Sequence, residues 1–224
     1  MLDFKKDFIE FMVRSGVLTF GDFTTKSGRK TPFFINTGNY DNGQQMEKLG
    51  EFYAQAIQAE LEGQFDGLYG PAYKGIPLCI TTSIALSKLF DKNVNFTFNR
   101  KEAKDHGEGG NLIGHKLQDG ERVIIVEDVI TAGTAIRENL PVIQAAADVN
   151  IAAIVVSVDR MEKGTGELSA IAQVEADYGI KTFAIVTIEE IVEYLHNREI
   201  DGKVIVDDDM KDSINAYREK YGVK

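Results

Sequence analysis

The stretch RVIIVEDVITAGTAIREN, residues 122–139, decides the reading of this chain. Four apolar residues, Val123, Ile124, Ile125 and Val126, run straight into two carboxylates, Glu127 and Asp128. A turn of small and hydroxyl residues follows, and then a helical pattern. A continuous apolar run bounded by a turn is the mark of a strand buried on both faces, as in a parallel sheet. In open parallel sheets, ligands bind beyond the carboxyl ends of the strands, where the acid pair would sit. The turn TAGT, residues 131–134, opens the helix, whose first N–H groups lack partners and carry the positive end of the dipole. That is an anion site, with the Thr131 and Thr134 hydroxyls as added donors. Gly133 lets backbone approach a ligand with no Cβ in the way. A phosphate cradle beside two carboxylates suits a phosphorylated ribose: the loop takes the phosphate and the acids accept from the hydroxyls. Asp128 or Thr131 could merely cap the helix, but a cap leaves two adjacent acids on a buried strand unexplained. The stretch is neither a P-loop nor a dinucleotide fingerprint, because no Gly-Lys-Thr/Ser and no G-x-G-x-x-G occurs in it.

Outward from this block the pattern alternates. Towards the N-terminus lie a short strand at FDGLYGP, a helix at GIPLCITTSIALSKLF, a strand at NVNFTF and a glycine-rich loop over about 100–114. Beyond it come a helix TAIRENLPVIQAAA interrupted by Pro141, a strand IAAIVVSVD, a helix ELSAIAQVEADYG, a strand KTFAIVT and a helix IEEIVEYLHN. Continuous apolar strands separated by helix-length segments predict an α/β fold with a central, mostly parallel sheet flanked by helices. Before residue 65, Phe4, Phe8, Phe11 and Met12 follow helical spacing, VLTFGDFTTKSGRKTPFFINTG reads as short strands and turns, and a helix covers roughly 44–61. The expected division is an N-terminal α+β hood over 1–64 and a parallel-sheet core over 65–224. Asp207, Asp208 and Asp209 read as the solvated start of a last helix.

The 224 residues suffice for a sizeable core without a disulfide. The single Cys79 sits in an apolar context and reads as a small buried hydrophobe, which suits a reducing compartment. No segment reaches the roughly 18 apolar residues of a membrane span, and MLDFKKDFIEFMVRSG lacks the core of a signal peptide. With 25 basic against 35 acidic residues, a net charge of −10 argues against nucleic-acid and anionic-membrane surfaces. A cytoplasmic protein is the expectation, and any anion site in it must be a local positive island.

Such an island is written at NRKEAKDHGEGGNLIGHKL, residues 99–117. Arg100, Lys101, Lys104 and His106 fall within seven residues and are followed by Gly107, Gly109 and Gly110. A mobile basic loop at the ligand end of the sheet can close over a polyanion and exclude water.

The block VIIVEDVITAGTA resembles the ribose-phosphate motif of the type I phosphoribosyltransferases. FNRKEAKDHGEGGNL resembles the catalytic loop of one branch, the orotate phosphoribosyltransferases, and so do FTTKSGRKTPFFINTG, GPAYKGIPL and SVDRMEKGTGELSAI. Five ordered blocks thus span most of the chain, from about residue 20 to 180. The resemblance implies the type I phosphoribosyltransferase fold and transfer of a phosphoribosyl group from 5-phospho-α-D-ribose 1-diphosphate to orotate. Mg²⁺ is implied as cofactor, held chiefly by the substrate diphosphate, with no protein metal cage. It assigns Lys26, Tyr73, Lys74, Arg100, Lys101, Lys104 and His106 to the ribose diphosphate. Glu127, Asp128, Val129, Ile130, Thr131, Ala132, Gly133, Thr134 and Ala135 would hold the ribose and its 5-phosphate. Phe34, Ile35, Thr131 and Arg160 would contact orotate, the Arg160 guanidinium matching the carboxylate with two parallel hydrogen bonds. Lys26, Arg100, Lys101, Lys104, His106 and Asp128 would be the catalytic set. A homodimer is implied, with the Lys104 loop reaching the neighbouring active site. The family usually has Asp-Asp where this chain has Glu127-Asp128, although the wider superfamily also uses Glu-Asp. Two other readings belong to the same resemblance: transfer to another base, and a non-catalytic sensor of the ribose diphosphate.

Overall fold

Strand β6 (Arg122–Val126) lies at the centre of a six-stranded sheet, and its side chains account for both layers around it. Ile124 and Val126 face a core shared with helix α1 (Asp3–Arg14), helix α2 (Gly43–Leu61) and helix α3 (Gly75–Phe90). Val123 and Ile125 face a second core with Ile136, Leu140 and Ile143 of helix α4 (Thr134–Ala146) and Val174 of α5 (Ala170–Tyr178). All four strand residues are buried, so each contributes roughly 1.5–3 kcal/mol of burial free energy. The structure is a computed structural model that describes residues 1–25, 28–104, 110–130, 133–164 and 166–223, with the side chains of 102–104 and 110 left aside.

The sheet order is β5-β4-β3-β6-β7-β8, where β3 is Gly67–Gly70, β4 Asn95–Lys104, β5 Gly110–Gly114, β7 Asn150–Asp159 and β8 Thr182–Thr187. The pairs β4–β3, β3–β6, β6–β7 and β7–β8 are parallel, as continuous apolar strands require. The edge strand β5 is antiparallel to β4. A loop over 100–114 does not describe this region: strand β4 continues to Lys104, and residues 110–114 pair back on it. Glycines at 110 and 114 leave β5 without a strand-like apolar pattern. Helix α4 likewise continues through Pro141, because its apolar face is buried on both sides of that residue.

The antiparallel pair β1 (Leu18–Thr24) and β2 (Lys30–Ile35) meets the carboxyl end of the sheet where the Phe33 ring lies 5.0 Å from the Arg160 guanidinium just after β7. The remaining elements are α6 (Ile188–Leu195), the two-residue strands β9 (Glu199–Ile200) and β10 (Lys203–Val204), and α7 (Asp208–Tyr221). Asp207 caps α7 by accepting from the Met210 amide at 2.8 Å. Cys79 is buried, and burial pushes its thiol up to about 12. Among the described residues no helix is long and apolar enough to cross a membrane.

Candidate active site

The two acids after β6 are held by different means. The ladder with β7 continues past Val126: the Glu127 amide donates to Val155 O at 3.0 Å, and the Ser157 amide to Asp128 O at 3.0 Å. Ser157 Oγ also donates to Asp128 O at 2.6 Å, and the Tyr53 hydroxyl to Glu127 O at 2.7 Å. The backbone of the acid pair is therefore fixed by α2 on one side and β7 on the other.

The Asp128 carboxylate accepts from Thr37 Oγ1 at 2.7 Å and Lys74 Nζ at 2.9 Å on one oxygen, and from the Val129 amide at 2.8 Å on the other. Lys74 Nζ also donates to Thr37 Oγ1 at 2.8 Å. Burial raises the Asp128 carboxyl, but the bonds from Lys74 and Thr37 outweigh it and hold the group below its usual range. Among the described residues Glu127 has no ion pair of its own; its Oε1 accepts from the Asp128 amide at 2.9 Å. Burial, reinforced by the neighbouring Asp128 charge, pushes it up to about 8. Two adjacent acids thus carry opposite shifts, and near neutral pH Asp128 is the anion.

Lys74 stands on the loop between β3 and α3, which closes tightly because glycine stands at both ends. A Cβ on Gly70 would lie 2.2 Å from Gly75 O, and one on Gly75 would lie 2.7 Å from Pro71 Cδ. The Ala72–Tyr73 peptide within it is cis, and the Ala72 amide donates to Asn99 Oδ1 of β4 at 2.7 Å. Lys101 Nζ lies 5.2 Å from the centroid of the exposed Tyr73 ring. Arg100, Lys101, Ala72 and Asn99 line one cleft with Thr134, Ala135 and Glu138 of α4, a volume of about 610 Å³. Arg100 Nε is buried there without a hydrogen-bond partner among the described residues. Gly133 has φ +69, and a Cβ there would meet Val174 at 3.0 Å, so this turn into α4 requires glycine. Val129 and Ile130 are half-buried in the turn before it.

On the hood, Phe34 is 39% exposed and Ile35 half-buried. Arg160, after β7, lies with its guanidinium 5.0 Å from the Phe33 ring centroid and is ion-paired with Glu162. The structure therefore gathers Asp128, Glu127, Lys74, Tyr73, Arg100, Lys101, Gly133, Thr134 and Ala135 at one end of the sheet. Lys26, His106, Thr131 and Ala132 lie outside the described residues, as does the Lys104 side chain. Thr37, Tyr53 and Ser157 are the participants the sequence did not disclose; their partners are distant in the chain. No group of three or more His, Cys, Asp or Glu suited to a metal ion occurs among the described residues. The donors available at the site are the two adjacent acids, a set that fits an ion coordinated mainly by substrate oxygens and water.

A strand ending in two carboxylates, a glycine turn into a helix and a cationic cleft beside them define a phosphoribosyltransferase site. The family model for the phosphoribosyl transferase domain matches residues 36–168, and the chain belongs to that family. Within it, the chain is a member of the orotate phosphoribosyltransferases. It is 56% identical over 224 residues to the orotate phosphoribosyltransferases of Clostridium beijerinckii and Clostridium acetobutylicum, covering 100% of each chain. The solved orotate phosphoribosyltransferase of Francisella tularensis superposes with a TM-score of 0.83 at 36% identity, over 96% of this chain and 99% of that one.

Proposed function

We propose that the protein transfers the phosphoribosyl group of 5-phospho-α-D-ribose 1-diphosphate to orotate, giving orotidine 5′-phosphate and pyrophosphate. The observation that carries this reading is the anchored Asp128 carboxylate, which accepts at 2.7 and 2.9 Å from Thr37 and Lys74 just ahead of the Gly133 turn. Breaking the C1–O bond builds positive charge on the ribose and negative charge on the departing diphosphate, so catalysis rests on positioning and electrostatic stabilisation. Asp128, with Glu127, accepts from the ribose hydroxyls, and residues 129–135 take the 5-phosphate at the start of α4. Gripped at both points, the sugar presents C1 in a fixed place. An incoming hydroxyl replaces Lys74 on Asp128 and turns its ammonium towards the diphosphate. Lys26, Tyr73, Arg100, Lys101, Lys104 and His106 gather around that group and neutralise it. Phe34, Ile35, Thr131 and Arg160 hold the base, with the guanidinium on its carboxylate.

Mg²⁺ belongs to this reading, carried chiefly on the diphosphate, where it shares the charge of the leaving group when bound. So does a cytoplasmic homodimer in which Lys104 of the partner subunit enters the site. Incubating the protein with Mg²⁺, the ribose diphosphate and orotate, uracil or a purine in turn tests the assignment. Pyrophosphate release with orotate alone is expected; release with another base only, or binding without turnover, would replace the reading.

A further inference from the structure

Arg160 does not stand alone beside Phe33. Its Nε and Nη2 both donate to Glu162 Oε1, at 3.0 and 2.6 Å, while Glu162 Oε2 accepts from Arg29 Nη1 at 3.2 Å. One carboxylate thus lies between two guanidiniums, one on each oxygen, and the cluster keeps a single excess positive charge. A guanidinium carries five N–H donors in a planar fork. Binding Glu162 along the Nε–Nη2 edge leaves the Nη1–Nη2 edge, which matches a second carboxylate with two parallel hydrogen bonds.

Glu162 is itself held from several sides. The chain after α7 is stitched to its segment: Lys163 N donates to Tyr221 O at 2.8 Å and Val223 N to Met161 O at 2.9 Å. Glu162 and Gly222 form an antiparallel bridge between these bonds. Met161 takes a left-handed φ of 51, and its amide donates to Asp159 Oδ1 at 2.8 Å. Arg29 lies 4.6 Å from the Tyr221 ring, and Phe33 meets Tyr217 edge-on at 5.9 Å between centroids. The hood strand, the loop after β7 and the end of α7 therefore converge on one carboxylate. The side chains of Arg160 and Glu162 are only 21% and 16% exposed, so their geometry is fixed by packing as well as by charge.

We propose that Glu162 is a positioning residue for the acceptor base: it holds Arg160 side-on, so that the other edge of the guanidinium meets the base carboxylate. Arg29 is part of the device, because it offsets the Glu162 charge that would otherwise repel an anionic base. The inference rests on the reading of Arg160 as the partner of the orotate carboxylate.

The test is a double-mutant cycle on the intact enzyme, with KM measured separately for orotate and for the ribose diphosphate. Arg160→Ala is expected to raise the orotate KM. Glu162→Ala is expected to raise it about 10-fold, the scale of one misaimed charge-assisted pair, with the ribose-diphosphate KM unchanged. In the Arg160→Ala background, Glu162→Ala should then add nothing. Glu162→Gln, which keeps the side-chain volume, is the variant to use should alanine lose the fold; a smaller rise of about 3-fold is expected because one acceptor remains. An unchanged orotate KM in folded Glu162→Gln and Glu162→Ala, or an equal loss with and without Arg160, overturns the positioning role alone. An unchanged orotate KM in Arg160→Ala overturns the Arg160 assignment and this inference with it.

Discussion

Lys74 and Asp128, 54 residues apart in sequence, meet through a 2.9 Å ammonium–carboxylate contact that Thr37 closes into a triangle. It holds Asp128 as an anion, whereas the equally buried Glu127 beside it is pushed the other way. The depressed Asp128 carboxyl contributes stability that is present above the unfolded value of 3.8 and lost as pH falls through the lower folded value. Lys74→Met should therefore be less stable than the parent at neutral pH, with the gap closing in acid below about pH 3.8. Urea midpoints at pH 7 and pH 3 measure this; a gap independent of pH would assign the loss to packing.

Glu127 has the opposite sign. Its folded value near 8 lies above the ordinary 4.5, so burial costs nothing below pH 4.5 and costs progressively more from there to about pH 8. Over that window the unfolded chain has released a proton that the folded chain retains. Glu127→Gln should gain stability relative to the parent as pH rises from 5 to 8. Parallel thermal melts at the two pH values are the check, and parallel shifts would show that Glu127 is ionised in the fold.

The turn between β3 and α3 leaves no room for a methyl group. A Cβ at Gly70 would sit 2.2 Å from Gly75 O and 2.7 Å from Cys79 Sγ. Gly70→Ala should cost on the order of 1–3 kcal/mol, the usual penalty of overpacking, and displace Lys74. Denaturant unfolding gives the first quantity and the KM for the ribose diphosphate the second. Wild-type values of both would mean that the loop yields without consequence.

Much of this was legible in residues 122–139, because an apolar run, two acids and a glycine turn are local signals. Both faces of β6 are buried as the unbroken run Val123–Val126 implies. What stayed hidden is non-local. Thr37 lies 91 residues from Asp128, Tyr53 lies 74 from Glu127, and Arg29 lies 133 from Glu162, and no pattern in one chain couples such positions. Strand β5 carries no local strand pattern because glycine bounds it at both ends, and α4 runs through Pro141, a breaker that tertiary burial overrides.

The basic residues after Asn99 should act on the leaving group. Lys104→Ala is expected to lower turnover by about 10²–10³, comparable to removing one preorganised charge-stabilising donor. Steady-state rates with saturating substrates decide it. A folded variant with full turnover would remove Lys104 from the catalytic set.

In the proposed reaction the anchored acid grips the ribose of the diphosphate substrate. Calorimetric titration of the ribose diphosphate with Mg²⁺ into wild-type and Asp128→Asn protein tests it most directly. Exchanging an acceptor-only group for one that presents donors should weaken binding by roughly 10–100-fold, the worth of a charge-assisted hydrogen bond. Equal affinities in two folded proteins would contradict the account.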